Sequence, residues 1–209
     1  MTNIIDKKNI LWDFDGVIMD SMPVRNRGFE LVLKEYPKKQ IEQLMDFHLK
    51  NGGLSRYVKF RYFFEEIRGE EINEDGVALW ASRFSEVMKK ELLNPALFIE
   101  DTLSYIKKKH QDFEMHIVSG SDQTELRYIC EQLGLTKYFI SINGSPTPKK
   151  ELVRDLLNTY SYKQEETILI GDSINDYEAA ITNGINFKGY NNPSLKNLDA
   201  DYIEKFSHE

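Results

Sequence analysis

The spacing of apolar and polar positions changes period twice along the chain and divides it into three stretches. The first is a short apolar run, residues 9–13 (NILWD), that ends in an acidic turn, DFDG. It reads as a buried strand opening into a loop. From about 21 to 93 the spacing is helical. Phe29, Val32, Leu33 and Tyr36 fit the i, i+3, i+4, i+7 positions of one helix face, as do Ile41, Leu44, Met45 and His48. Phe60, Phe63, Phe64 and Ile67 repeat that spacing, and Val77, Trp80, Phe84 and Val87 nearly do. Four helices are expected, broken at Asn51-Gly52-Gly53 and in the polar stretch Arg68–Asp75.

After Asn94-Pro95 the pattern alternates. Helices around 98–109, 123–133, 149–158 and from 175 are interleaved with strand-like runs at MHIVS (115–119), YFISI (138–142), TILIG (167–171) and 186–190. Strands alternating with helices imply a parallel sheet covered on both faces. The reading is an α/β core of residues 1–18 plus 94–209, with an α-helical domain of residues 19–93 inserted after the first strand.

Composition narrows the function. The 209 residues carry 27 Lys+Arg against 34 Asp+Glu, a net charge of −7, which disfavours a general nucleic-acid binder. A small anionic substrate stays open, because a bound divalent cation can reverse the local field. The single cysteine, Cys130, lies on the apolar stripe Leu126, Ile129, Cys130, Leu133 and reads as a core residue. No stretch approaches the roughly 20 apolar residues of a membrane span, and the N-terminus lacks a signal-peptide pattern. A soluble, cytoplasmic protein with no nucleic-acid or membrane partner is expected.

In open parallel sheets the chemistry lies at the carboxyl ends of the strands. Asp13 and Asp15 follow the first strand, Ser119 the second, Asp172 and Asp176 a late one, and Lys149 opens a helix between them. Four carboxylates converging on one edge repel one another. A divalent cation would relieve that repulsion, and oxygen-only ligation favours magnesium over zinc. His48, His110 and His116 share no spacing, which argues against a histidine metal site.

DFDGV (13–17), IVSGS (117–121) and GDSIND (171–176), in that order, resemble the motifs of the haloacid-dehalogenase superfamily of phosphohydrolases. The place of the helical insertion matches the superfamily's type 1 cap on a Rossmann-like core. The resemblance implies that Asp13 is the nucleophile that forms an aspartyl-phosphate, and Asp15 the general acid and base. It implies magnesium held by Asp13, Asp172 and the backbone carbonyl of Asp15, with Asp176 behind them. Ser119 and the Gly120 amide would take phosphoryl oxygens, and a lysine would neutralise them. Many members carry Lys-Pro-x-Pro; here the stretch is Gly144-Ser145-Pro146-Thr147-Pro148-Lys149-Lys150, with serine where that lysine would be, and its similarity to the G-x-P-x-x-K arrangement of other members points to Lys149 ahead of Lys150. Asp15 itself points to phosphate esters, since the dehalogenases lack an acid there.

Two insertion residues are substrate-binding candidates. Leu54-Ser55-Arg56 after Gly53 is similar to a G-x-S-R segment of the β-phosphoglucomutase branch, where the arginine binds a second phosphate; Arg25 could steer anions. The expected function is a magnesium-dependent phosphatase of a small phosphorylated metabolite, such as a sugar phosphate or phosphoglycolate. The alternatives are a phosphosugar mutase and a phospho-accepting or binding-only regulatory protein. Against the mutase, Arg25 stands where that branch has histidine.

Overall fold

The computed structural model describes residues 4–51 and 54–206. Six parallel strands form one sheet: β1 (Asn9–Trp12), β2 (Glu114–Asp122), β3 (Ser141–Ser145), β4 (Thr167–Gly171), β5 (Asn186–Tyr190) and β6 (Asp201–Ile203). Their order is β3-β2-β1-β4-β5-β6. The chain therefore winds one way from β1 to β3 and the other way from β4 to β6. That reversal opens a crevice beside the end of β1, where α/β sheets bind ligands.

β1 is buried on both faces, and its alternation sorts the core into two layers. Ile10 and Trp12 face a cluster with Leu103, Ile106, Leu126 and Ile129, from α5 (Glu100–Lys109) and α6 (Gln123–Gln132). Leu11 faces the other way, onto Leu152, Val153, Leu156, Ala179 and Ala180 of α7 (Lys149–Tyr160) and α8 (Ile174–Thr182). Trp12 is in register with both Ile117 and Ile170, so β1 and β4 end at one level, beside the stretch of β2 that begins at Val118. Residues just past those ends must converge.

The insertion is four helices, as the spacing predicts: α1 (Met22–Val32), α2 (Lys38–Lys50), α3 (Arg56–Tyr62) and α4 (Glu74–Glu91). A π-helical turn, Phe63–Arg68, continues α3. The Asn73 side chain accepts the Gly76 N–H at 2.9 Å and caps α4. The helices pack through the expected aromatic stripes; Phe29, for instance, stacks 4.4 Å from Phe84 and 5.4 Å from Phe60. Gly52 and Gly53, part of the expected break after α2, lie outside the described residues.

Two strand expectations need correction. β3 runs Ser141–Ser145, three residues later than the apolar run YFISI suggests, because Thr136–Tyr138 form a 3₁₀ turn and pairing with β2 begins at His116–Ser141. The chain also adds β6, only three residues long, at the sheet edge. Cys130 is buried in the core, where burial pushes its thiol up to about 12. Among the described residues, no helix is long and apolar enough to cross a membrane.

Candidate active site

Asp13 directly follows β1, and its N–H donates to the Ile170 carbonyl of β4 at 2.9 Å. That bond fixes its backbone beside the β4 end, where Asp172 follows Gly171. Asp176 sits one turn into α8 and accepts the Ser173 N–H and O–H at 3.0 and 2.7 Å, a reciprocal cap that aims its carboxylate inward. Carboxylate oxygens of Asp13, Asp172 and Asp176 lie within 4.8 Å of one another. Lys149, the first residue of α7, reaches into this group, with its ammonium 2.8 Å from Asp13 Oδ1 and paired with Asp176. Lys150 is exposed.

Two glycines permit this crowding. Gly16 has φ +78°, and a Cβ there would lie 1.9 Å from Oδ2 of Asp172. A Cβ on Gly171 would lie 2.3 Å from the Cβ of Asp176. Asn191 and Asn192, past β5, donate to the carbonyls of Gly16 and Asp172 at 2.9 and 2.7 Å and hold both turns.

One lysine does not balance three acids. Burial, then the charge of Asp176, pushes Asp13 up to about 7 against the pull of Lys149. Burial and Asp13 push Asp172 up to about 8. The donor set is all oxygen, with Asp13 and Asp176 buried and Asp172 half-buried, and it is short of positive charge, which fits a hard divalent cation. Among the described residues no histidine joins it. Asp15 points elsewhere: its carboxylate accepts from Arg25 Nε at 2.6 Å, from Ser121 Oγ at 2.5 Å, and from Ser21 Oγ. These donors, Arg25 foremost, outweigh burial and hold Asp15 below the usual carboxylate range.

A cavity of about 430 Å³ opens over these groups, with Asp13, Asp15, Asp172, Lys149, Gly120 and Ser121 on the sheet side. A sequence profile described as haloacid dehalogenase-like hydrolase matches residues 10–189, which include every one of these side chains. The chain belongs to that family. Among curated proteins it is 26% identical to a phosphoglycolate phosphatase of Vibrio parahaemolyticus, over 84% of this chain and 79% of that one. It is also 26% identical to a phosphorylated carbohydrates phosphatase of Thermotoga maritima, over 84% and 81%. Of solved structures, a mutant of CbbY from Rhodobacter sphaeroides in complex with xylulose-(1,5)bisphosphate aligns with a TM-score of 0.76 at 12% identity, covering 96% and 95% of the two chains. That likeness is one of fold.

In this haloacid dehalogenase-like hydrolase the remaining site candidates lie on the end of β2 and on the insertion. Ser119 is buried, and its Oγ accepts the Ser121 N–H at 3.1 Å; Gly120 and Ser121, the next two residues, form the wall. Ser121 was legible, since it lies two residues on along the same strand face. Arg25 does line the cavity, but against Asp15 and Glu125. Arg56 lines it too, yet its guanidinium forms a two-pronged pair with Glu125 at 2.5 and 2.8 Å and donates to Ser85 at 2.7 Å. The guanidinium that the G-x-S-R pattern offers for a second anion is paired with Glu125. Lys59, not singled out from the sequence, is buried on the same wall, where burial and Arg25 lower its ammonium to about 7. His48 is a cavity residue bonded to Asn26 at 2.8 Å, lowered by burial to about 3 and so neutral.

Proposed function

We propose that the protein is a magnesium-dependent phosphatase of small phosphorylated metabolites, with residues 19–93 serving as its cap over a core of 1–18 and 94–209. The observation that carries this reading is the group of Asp13, Asp172 and Asp176 around one buried lysine, with Asp13, Asp172 and Lys149 lining a cavity that Asp15 also lines and Asp176 buried behind them.

Asp13 is the carboxylate placed to attack phosphorus, because Lys149 beside it neutralises charge on the phosphoryl oxygens as they approach. Its Oδ forms a bond to phosphorus as the ester oxygen leaves with the electron pair. The ester enters as its monoanion, and Asp15, ionised at rest and two residues on, passes that proton from the phosphoryl group to the leaving oxygen, then takes a proton from the water that cleaves the acyl phosphate at phosphorus. The Gly120 N–H, on the wall, would donate to a phosphoryl oxygen, while Ser121 beside it is held by Ser119 and Asp15. Magnesium, held by Asp13, Asp172 and the Asp15 carbonyl with Asp176 behind, would supply positive charge to the phosphoryl group and to its crowded ligands.

A phosphorylated sugar or phosphoglycolate suits the cavity, and the curated relatives act on that class. Phosphate release from a panel of such esters, with and without magnesium, tests the reading. Release that requires magnesium and follows the panel supports it. A folded protein that interconverts sugar phosphates while releasing no phosphate would move the assignment to a mutase.

A further inference from the structure

Beyond the acid cluster, the structure buries a second group of charges where α3 meets α6. Glu125, on α6 of the core, is fully buried, and both of its oxygens face the insertion. Arg56 of α3 donates to them at 2.5 and 2.8 Å, and Arg25 Nη1 of α1 donates to Oε1 at 3.3 Å. Arg56 is in turn fixed by Ser85 of α4 and lies 4.6 Å from the centre of the Phe84 ring. At the start of α6, Asp122 accepts the Glu125 N–H at 2.9 Å and the Tyr57 O–H at 2.6 Å. Consecutive insertion residues, Arg56 and Tyr57, are thus held by two core carboxylates one helical turn apart.

The line does not stop at the interface. Arg25 spans from Glu125 through Nη1 to Asp15 through Nε at 2.6 Å. A buried carboxylate is costly unless cations pair with it, so Glu125 is at home only with both arginines against it. Both come from the insertion. Seating the insertion and placing Arg25 at Asp15 are therefore one event.

We propose that Glu125 is a positioning residue for the hydrolysis: it seats the insertion on the core and, by holding Nη1 of Arg25, sets the arginine that orients the Asp15 carboxylate. The inference rests on the phosphatase reading, in which Asp15 handles the leaving-group proton. It predicts a loss that depends on the leaving group. An alkoxide needs the proton from Asp15, whereas p-nitrophenolate leaves without one.

The test uses Glu125→Gln, with hydrolysis of a simple alkyl phosphate and the pre-steady-state burst of nitrophenolate from p-nitrophenyl phosphate read side by side. The expected result is a kcat about 100-fold lower for the alkyl ester and a burst rate within about fivefold of wild type. Glu125→Asp, which keeps the buried charge but draws it back, should show the same asymmetry at smaller size and covers the case of a Gln variant that does not fold. Adding Arg25→Gln to Glu125→Gln should cost little more than Arg25→Gln alone, since both act through one contact. Equal losses with the two esters, or full multiplication of the two variants' losses, would overturn the proposal. Amide exchange of α3 and α6, measured without substrate, separates the two claims: a wild type inert towards every ester sinks the phosphatase reading, while unchanged exchange in Glu125→Gln sinks the seating.

Discussion

The two walls of the cavity meet the same electrostatic problem in opposite ways. On the sheet wall, three carboxylates share a single lysine, and burial with mutual repulsion keeps Asp13 and Asp172 protonated up to about 7 and 8. On the insertion wall, Arg25 and Arg56 converge on one glutamate, and Arg25 also serves Asp15. The first wall is left short of positive charge, and its shortage is what a cation and a phosphoryl group would fill. The second is balanced from within, and its balance depends on how the insertion sits. In the proposed reaction the first wall would do the chemistry and the second would hold the insertion in place.

The comparison predicts that sheet-wall substitutions cost turnover and spare the fold, whereas insertion-wall substitutions cost stability. Asp13→Asn should lower kcat by at least about 10⁴-fold, with a melting temperature equal to or above that of wild type, because a repelled buried acid is gone. Steady-state kinetics and a thermal melt on one preparation decide this; residual activity of a few per cent would contradict a nucleophilic Asp13. Arg56→Ala strands Glu125 without its main partner and should cost about 3–5 kcal/mol in denaturant unfolding. A loss under about 1 kcal/mol would mean that the interface hydrates readily and the walls are not so different.

Next in size is Lys149→Ala, expected to reduce kcat by about 10²–10³-fold, while Lys150→Ala stays within about twofold. Parallel assays of the two would break the assignment if the losses were reversed.

The smallest effect is one of pH. Asp13 and Asp172 have ordinary values of 3.8 when unfolded but hold protons up to about 7 and 8 when folded. The metal-free folded state thus binds more protons across that interval, so its stability falls as pH rises from about 4 to about 8. A bound cation removes the penalty. Magnesium should therefore raise the melting temperature by more at about pH 8 than at about pH 5, in melts with the metal and with chelator. A larger gain at the lower pH would contradict this charge arrangement.

The sheet wall was legible because local rules place it. A strand's end, the turn after it and a helix cap fix Asp13, Asp172 and Asp176 within short segments, and parallel register then brings those segments together. The preference for Lys149 over Lys150 has a different ground, the resemblance of the proline-rich stretch before it to the superfamily's lysine motif. The insertion wall was not legible, because its chemistry depends on partners distant in sequence. Glu125 in QTELRYICEQ looks like any polar position near a helix start until Arg56, 69 residues earlier, folds against it. Arg56, read from its local pattern, looks like a ligand for a second anion, and nothing in RYVKFRY marks Lys59 as the buried one of its cations. β3 slipped by three residues for a related reason: an apolar run at a sheet edge does not say where pairing starts.

In the proposed reaction Asp13 accepts the phosphoryl group and Asp15 handles protons. The most direct measurement is rapid-quench reaction of Asp15→Asn with p-nitrophenyl phosphate and magnesium, followed by mass mapping of the protein. Nitrophenolate leaves without an acid, and the acyl phosphate then persists for want of a base. A burst of one nitrophenolate per site, with the phosphoryl group on the peptide containing Asp13, is the predicted result. Undiminished steady turnover without a burst, or a phosphoryl group on any other residue, would contradict it.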